Sequence, residues 1–358
     1  MPMNELFELL KFGLGHVNTI NIPNQTNWKD IYTLAFKHGV GAIALDGLQR
    51  CYDENIPVDI DKIDKRKWIG AVNRQEKKYG EQESNTASLA QFYQKHGIRM
   101  MILKGWGLSF YYPIPSHRPS SDLDIYLFGE QERADKLIKE ELGIKINGSH
   151  HHHTVFSYKG LTVENHFDFL NVYSHLSSRK IEKELKSLAQ DAESVKMKDG
   201  TEVWLPPENF NALFLLRHMA VEFAATGMNL RQVLDWGLFV KRYHTKVDWM
   251  SILPIVKDLN MHNFLDAVNY ICYTYLGFEK SIFVGFGNAC YGERVYADLF
   301  NPENSKPKEK GFVKYVLSRI RKWWKSRWKH RIVYSDGLFS TFVFQLYAHL
   351  VKPASLHN

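Results

Sequence analysis

Residues 98–128 run IRMMILKGWGLSFYYPIPSHRPSSDLDIYLF, and this stretch decides the fold. Its two apolar runs, Met100–Leu103 and Leu123–Phe128, predict buried strands. The first run ends in Lys-Gly, and the second opens on an Asp-Leu-Asp sequence. Alternate side chains of a strand share a face, so we expect Asp122 and Asp124 to point the same way with Cα atoms about 7 Å apart.

The two aspartates predict a cation site. Two carboxylates fixed side by side repel each other unless a cation lies between them. Oxygen ligands on a rigid strand suit Mg²⁺ or Mn²⁺. A solvated strand edge is the alternative interpretation of an isolated Asp-x-Asp sequence. Here the flanks are strongly apolar, and Arg118 and two serines precede the pair, which favours the cation site.

This stretch resembles the nucleotidyltransferase superfamily that includes DNA polymerase beta. It is most similar to a bacterial family of largely uncharacterised nucleotidyltransferases, whose pattern is a Leu-Lys-Gly turn, a short aromatic helix, an arginine and then Ser-Asp-hydrophobic-Asp-hydrophobic. The resemblance extends over most of the chain and is strongest from Leu103 to Phe169. It implies that Asp122 and Asp124 are metal ligands, together with a third carboxylate at the position of Glu164 on a later strand.

The strand predicted from Leu161 to Leu170 carries that third carboxylate. Alternation along it places Glu164, His166 and Asp168 on one face. Asp168 is the alternative ligand. His166 either orients a carboxylate or accepts a proton, or it is a structural histidine.

Four successive histidines, at 150–153, precede this strand by one hairpin. Such a tract is typical of metal binding or of a purification tag. Because the tract is internal and leads into a predicted strand, a tag is disfavoured. Alternate members share a face, so His151 and His153 are the ones that could line the site.

Basic and small residues around the aspartates predict contacts with phosphate. Gly105 permits a tight turn and the close approach of a phosphate. Lys104 either reaches phosphate oxygens or is a surface lysine at a strand end. Arg118 either clamps phosphate oxygens bidentately or pairs with a nearby acid. Ser120 and Ser121 would also steady the β- and γ-phosphates.

A later predicted helix, residues 229–243, resembles the helix that follows the catalytic sheet in the same family. On it, Arg231 is a candidate to face the nucleotide, as is His218 on the preceding helix. Asp235 either faces the site or is a buried residue that pairs helices.

The length of 358 residues predicts two or three domains, and the sequence pattern predicts an α+β fold. The expected architecture is a small mixed β-sheet nucleotidyltransferase core flanked by N-terminal helices and a C-terminal helical domain. The predicted divisions are 1–96 (N-terminal helical region), 97–205 (catalytic core), 206–300 (helical domain) and 301–358 (basic amphipathic segment). Strands are also expected at residues 144–146 and in a hairpin at 194–205 with an Asp-Gly turn.

The scattered cysteines, Cys51, Cys272 and Cys290, lack metal-ligand spacing and predict reduced thiols with no disulfide-linked partner. The start of the chain lacks the pattern of a signal peptide, and the sequence contains no run of 18 apolar residues. We therefore expect a cytoplasmic protein.

The net charge of +7 arises from one segment, since Lys314–Arg331 carries eight Lys and Arg residues and no acidic residue. Apolar residues at helical spacing predict a basic amphipathic helix over 313–331. Such a helix binds an anionic membrane surface or nucleic acid. Alternatively, its apolar stripe packs on the protein and its charges are solvated.

The expected function is metal-dependent transfer of a nucleoside monophosphate from an NTP such as ATP to an unidentified acceptor, with two Mg²⁺ or Mn²⁺ ions. A glycosyltransferase that binds a nucleotide sugar through Asp-x-Asp is one alternative. It should have several βα units before the aspartates, whereas here the preceding sequence is largely helical. A non-catalytic module that binds a nucleotide or a partner is the other alternative.

Overall fold

The computed structural model describes residues 2–173, 175–301, 324–338 and 340–341. A six-stranded mixed sheet lies between helices from both ends of the chain, so the predicted α+β class is confirmed. The four-part domain division stays a prediction. One continuous apolar core contains side chains from both ends of the described chain, from Leu6 to Tyr334.

Four helices precede the sheet, so the predicted N-terminal helices are confirmed. They are α1 (Pro2–Gly13), α2 (Trp28–Lys37), α3 (Gly41–Asp53) and α4 (Lys62–Lys95). The long helix α4 begins at Asp61, whose carboxylate accepts the backbone N–H of Ile63 at 2.7 Å. It ends at His96, and Gly97 follows with φ of 69°, a left-handed conformation that glycine adopts without steric cost. The chain therefore leaves α4 in a fixed direction and continues into the first strand of the sheet.

The strand order is β3-β4-β2-β1-β6-β5. The strands are β1 (Met101–Leu103), β2 (Asp122–Tyr126), β3 (His153–Tyr158), β4 (Leu161–His166), β5 (Glu193–Lys196) and β6 (Glu202–Leu205). Strand β2 pairs parallel with β4, as β1 does with β6, and the other neighbours are antiparallel. The connecting helices are α5 (Gly105–Ser109), α6 (Gln131–Leu142) and α7 (Leu176–Leu188).

Three details of the sheet region differ from the sequence expectation. Residues 144–146 form no strand; the only pairing there is an isolated bridge from Asn147 to Val155. The strand expected from Leu161 to Leu170 ends at His166. Helix α7 was not predicted, because its charged sequence masks the buried face formed by Ile181 and Leu185.

The helical region after the sheet contains α8 (Glu208–Ala225), α9 (Leu230–Tyr243), α10 (Trp249–Asp258), α11 (His262–Tyr275), α12 (Gly292–Phe300) and α13 (Arg327–Val333). The first four were expected from apolar spacing. Helix α9 begins at a capping box, in which the Asn229 side chain accepts the N–H of Gln232 and the Gln232 side chain accepts the N–H of Asn229.

The two faces of the sheet pack against different helices. Leu123, Ile125 and Val163 belong to an apolar cluster that includes buried residues of α4 and α6. On the opposite face, Tyr126 belongs to the larger core, to which α8 contributes Phe214. Because side chains alternate, the aspartates of β2 lie on the face that looks toward α8 and α9.

Only the end of the basic segment lies within the described residues. There Trp328 and Lys329 are buried, and Lys329 Nζ lies 2.6 Å from Asp298 Oδ2 on α12. Trp324 is exposed. Binding of a membrane surface or of nucleic acid by residues 313–331 stays a prediction, since most of the segment lies outside the described residues. Among the helices that the structure describes, none has the length and the apolar content needed to cross a membrane.

His117 joins two N-terminal helices to the loop that leads into β2. Because of these contacts we expect the stability of the protein to depend on pH. The Nδ1 of His117 lies 2.8 Å from Asp46 on α3, and its Nε2 lies 3.0 Å from Glu76 on α4. Burial alone would lower the pKa of His117, but Asp46 and then Glu76 raise it above its usual 6.5. The resulting stabilisation is complete below pH 6.5 and is lost as the pH rises through the raised pKa of the folded state.

We therefore expect His117→Gln to cost more free energy of unfolding at pH 5.5 than at pH 9, with a difference of about 1 kcal/mol. Urea unfolding of both proteins at the two pH values measures it. His244→Gln is the control, because the hydrogen bond described for this half-buried side chain stays within its own helix, at the Val240 carbonyl. An equal loss in His117→Gln at both pH values would contradict the expectation.

Candidate active site

Asp124 lies at the centre of the site because the sheet register places a neighbour on each side of it. Its Cα pairs with Leu103 on β1 and with Glu164 on β4. The carboxylate is buried, with 4 % of the residue exposed. Lys104 Nζ and His166 Nε2 each lie 3.1 Å from Asp124 Oδ1. Strands β1, β2 and β4 thus bring two carboxylates, the Lys104 ammonium and the His166 imidazole together.

The charges around Asp124 keep it ionised. Burial opposes ionisation, but the Lys104 ammonium and then His166 hold the pKa of Asp124 well below its usual range. Burial likewise lowers the pKa of Lys104, while Asp124, Asp122 and Glu164 raise it by a larger amount. Both groups are therefore charged at neutral pH, and an anionic oxygen ligand is available to a cation.

The Lys-Gly turn that ends β1 is strained. Lys104 has φ of 43° and ψ of −140°, a conformation that side chains with a Cβ rarely adopt, and Gly105 follows with φ of 42°. A Cβ on Gly105 would lie 3.2 Å from Ser120 Oγ. Strain of this kind persists only where the surroundings enforce it, and it is concentrated at functional sites. Here it points the Lys104 ammonium back at Asp124.

Glu164 and His166 complete a group of possible metal ligands. One oxygen each from Asp124 and Glu164 and one nitrogen from His166 all lie within 4.8 Å of one another. The proximity of His166, whose Nε2 lies 3.6 Å from Glu164 Oε2, is the main reason why the pKa of Glu164 is lowered. Burial would lower the pKa of His166, but the same two carboxylates raise it to about 8. The carboxylate oxygens fit a hard divalent cation such as Mg²⁺ or Mn²⁺.

A cleft of about 340 Å³ opens in front of this group. Asp122 lines it and is half-buried, so the two aspartates of β2 face the same cavity as expected. Ser121 Oγ donates to Asp122 Oδ1 at 3.2 Å, and Ser120 Oγ donates to the Asp122 carbonyl at 3.0 Å. The lining from the sheet side is Lys104, Arg118, Ser120, Ser121, Asp122, Asp124 and Glu164.

Arg118 forms the ion pair that was the alternative to a phosphate contact. Its Nε and one terminal nitrogen donate to the two oxygens of Asp235 on α9, at 2.8 and 2.9 Å. The other terminal nitrogen donates to the Gly105 carbonyl at 3.0 Å. Tyr112 donates to Asp235 Oδ1 at 2.7 Å. Asp235 is thereby a buried residue that links α9 to the loop before β2, and Arg118 holds the turn at Gly105. A contact between Arg118 and phosphate stays a prediction.

The other candidates lie at different distances from the centre. Arg231 lines the cleft and donates to the Pro119 carbonyl at 2.9 Å. His218 lines it too, with Nε2 lying 2.9 Å from Glu222. Asp168 does not line the cleft and pairs instead with Lys186 on α7.

The end of β4 explains the position of Asp168. Strand alternation stops at His166, so it no longer governs where the Asp168 side chain points. Glu182 on α7 accepts the N–H groups of Phe169 and Leu170, each at 3.0 Å, and so draws this segment toward α7. Within the described residues, Glu164 is thus the carboxylate of this strand that joins Asp124.

Sequence reasoning missed one feature of the cleft and one group of residues beside it. Glu222 and Gln232, on α8 and α9, line its far wall and are joined by a hydrogen bond of 2.9 Å. No sequence motif marks them. His152, which alternation placed on the wrong face, lies with His153 and His166 in a second group whose nitrogens are all within 4.8 Å of one another.

The mixed sheet, the paired carboxylates beside a strained Lys-Gly turn and the helical flanks are consistent with a nucleotidyltransferase-like core. A family model described as an uncharacterised nucleotidyltransferase matches residues 24–277, and the chain belongs to this family. The predicted family resemblance is confirmed. No curated protein and no solved structure matches the chain. The family match gives the glycosyltransferase alternative no support.

Proposed function

We propose that this protein transfers a nucleoside monophosphate from an NTP to an acceptor hydroxyl or phosphate. The observation that carries the proposal is the pairing of Asp124 with Glu164 across β2 and β4, at a cleft that Asp122 also lines. Three carboxylates at one cavity are costly unless cations neutralise them, and the family match names the class of reaction.

Two cations of the Mg²⁺ or Mn²⁺ class fit this arrangement. Asp122 and Asp124 would hold the ion that carries the triphosphate, and both with Glu164 would hold the ion at the acceptor oxygen. Bound there, such ions stabilise the attacking and the leaving oxygen of an in-line displacement. The low pKa of Asp124 supports this role, because a ligand that is already ionised need not release a proton to bind a cation.

The residues before β2 would bind the phosphates. Lys104 is charged, borders the cleft and lies 3.1 Å from Asp124, so it can neutralise phosphate oxygens beside the metal ligands. Ser120 and Ser121 offer hydroxyl groups at the same edge. Gly105 lies at the turn beside Ser120 but does not line this cleft, so its contact with a phosphate stays a prediction. Arg118 retains N–H groups beyond the three contacts it makes to Asp235 and Gly105, and it lines the cleft.

Glu164 is our candidate to take the proton of the acceptor. It is half-buried and lines the cleft, whereas Asp168 is held by Lys186 outside it. Its lowered pKa keeps it ionised at neutral pH, which is the state that a proton acceptor needs. His166 lies 3.6 Å from Glu164 and would orient it. Arg231 and His218, on the opposite wall, are candidates for contacts with the nucleotide.

Thermal unfolding with each NTP, with and without Mg²⁺ or Mn²⁺, tests whether the nucleotide binds at this site. At a concentration about 100 times Kd we expect a rise in Tm of about 3–4 °C, in the presence of the metal only. In Asp122→Asn the rise should be lost. Asp191→Asn, at an exposed aspartate outside the cleft, is the matched control and should behave like the wild type.

Two outcomes would contradict the proposal. Stabilisation that persists unchanged in Asp122→Asn would place the nucleotide elsewhere on the protein. The absence of stabilisation with every NTP and both metals, in a protein that folds normally, would show that this cleft does not bind a metal–NTP complex.

A further inference from the structure

A cluster of three histidines lies beside the carboxylates, and two of them, His152 and His153, have no role in the proposed reaction. His153 on β3 pairs directly with His166 on β4 in the sheet register. Their ring centroids are 5.0 Å apart, and the ring of His152 lies 4.4 Å from His153 and 5.5 Å from His166. One nitrogen from each of the three rings lies within 4.8 Å of the other two.

Two of the three rings, His152 and His153, have buried nitrogens that lack described hydrogen-bond partners. The nitrogens of His166 lie 3.1 Å from the Asp168 carbonyl oxygen and 3.1 Å from Asp124, so an ion would replace one of these contacts. His153 is 6 % exposed, and neither of its ring nitrogens has a hydrogen-bond partner within the part of the chain that the structure describes. Nδ1 of His152 is also buried without a described partner. Leaving such a group unsatisfied is unfavourable, and a bound ion or water is the usual explanation.

We propose that His152, His153 and His166 bind one transition-metal ion of the zinc class. Imidazole nitrogens suit Zn²⁺, Co²⁺ or Ni²⁺, whereas Mg²⁺ takes oxygen ligands. Binding of the ion would displace the proton from the His166 nitrogen that ligates it. An ion there would join β3 to β4 and fix the ring of His166 next to Asp124 and Glu164. This site is distinct from the two ions of the proposed transfer reaction, and it does not depend on that reaction.

The ring of His153 has a further histidine neighbour in the tract. His150 stacks on His153 with centroids 4.5 Å apart, and it covers the cluster from the side of the tract.

Titration of the metal-free protein with Co²⁺, without nucleotide, tests the proposal through the visible absorption of the bound ion and through calorimetry. We expect one ion per chain and an absorption spectrum of imidazole coordination. His153→Gln and the less buried His152→Gln should each weaken binding by about 100-fold. His150→Gln and His151→Gln are matched controls from the same tract and should retain the site.

Asp122→Asn separates this site from the carboxylates and should also retain it. Circular dichroism in the presence of chelator establishes that each variant is folded. An equal loss of affinity in His150→Gln and His153→Gln would assign the ion to the tract as a whole and overturn the proposal. So would a loss in Asp122→Asn without one in His153→Gln, or the absence of bound Co²⁺ in the wild type.

Discussion

Asp124→Asn is expected to reduce turnover by at least about 1,000-fold, which corresponds to about 4 kcal/mol of transition-state stabilisation. The amide removes the anionic oxygen that lies 3.1 Å from both Lys104 and His166 and that would bind the metal. Pyrophosphate release from the NTP, in the presence of an extract that supplies the acceptor, measures turnover.

A second variant distinguishes loss of chemistry from loss of folding. Asp124→Asn leaves the Lys104 ammonium without its buried partner, so it will also destabilise the protein. Asp122 is half-buried, and the only side-chain hydrogen bond described for it comes from the neighbouring Ser121. Asp122→Asn should therefore fold normally and still lose activity. Retention of more than about a tenth of the activity in both variants, against Asp191→Asn as control, would contradict the assignment.

Arg118→Met is expected to lower the free energy of unfolding by about 3–5 kcal/mol. The guanidinium is 5 % exposed and donates twice to Asp235 and once to the Gly105 carbonyl. Removing it leaves a buried carboxylate and a carbonyl without those partners. Arg118→Lys should also be costly, because an ammonium cannot reproduce the two parallel bonds. Denaturant unfolding monitored by circular dichroism measures both losses.

The matched control is Arg133→Met, whose ion pair with Glu130 is exposed on both sides and should contribute less than about 1 kcal/mol. The double variant Arg118→Met/Asp235→Leu should lose less than the sum of the two single losses, because it removes both buried charges together. A loss of under 1 kcal/mol in Arg118→Met would show that the pair does not hold the turn in place.

Short-range patterns were sufficient to predict the centre of the fold. The strands around Leu103 and Leu123, the turn at Gly105 and the common orientation of Asp122 and Asp124 follow from alternation within a few residues. Glu164 needed the family resemblance as well. Its position next to Asp124 depends on the register of β2 with β4, which local sequence does not encode.

Contacts between distant segments account for what the sequence could not show. Arg118 and Asp235 are 117 residues apart in the sequence. The sequence alone therefore could not show whether Arg118 contacts a phosphate or forms an ion pair. Strand alternation failed at Asp168 because β4 ends two residues earlier and Lys186 takes the carboxylate. His152 joins its neighbours across a hairpin, at the point where regular alternation has not yet begun.

Label transfer from NTPs shows directly whether the protein transfers a nucleoside monophosphate. The protein is incubated with cell extract, Mg²⁺ or Mn²⁺, and either α-³²P-labelled or γ-³²P-labelled NTP, and the labelled products are separated. Nucleoside monophosphate transfer predicts labelled acceptor with the α-labelled NTP only, and no labelled acceptor with Asp122→Asn. Transfer of the γ label to the acceptor would contradict nucleoside monophosphate transfer. Transfer of the α label that is equally efficient with Asp122→Asn would contradict catalysis at this cleft.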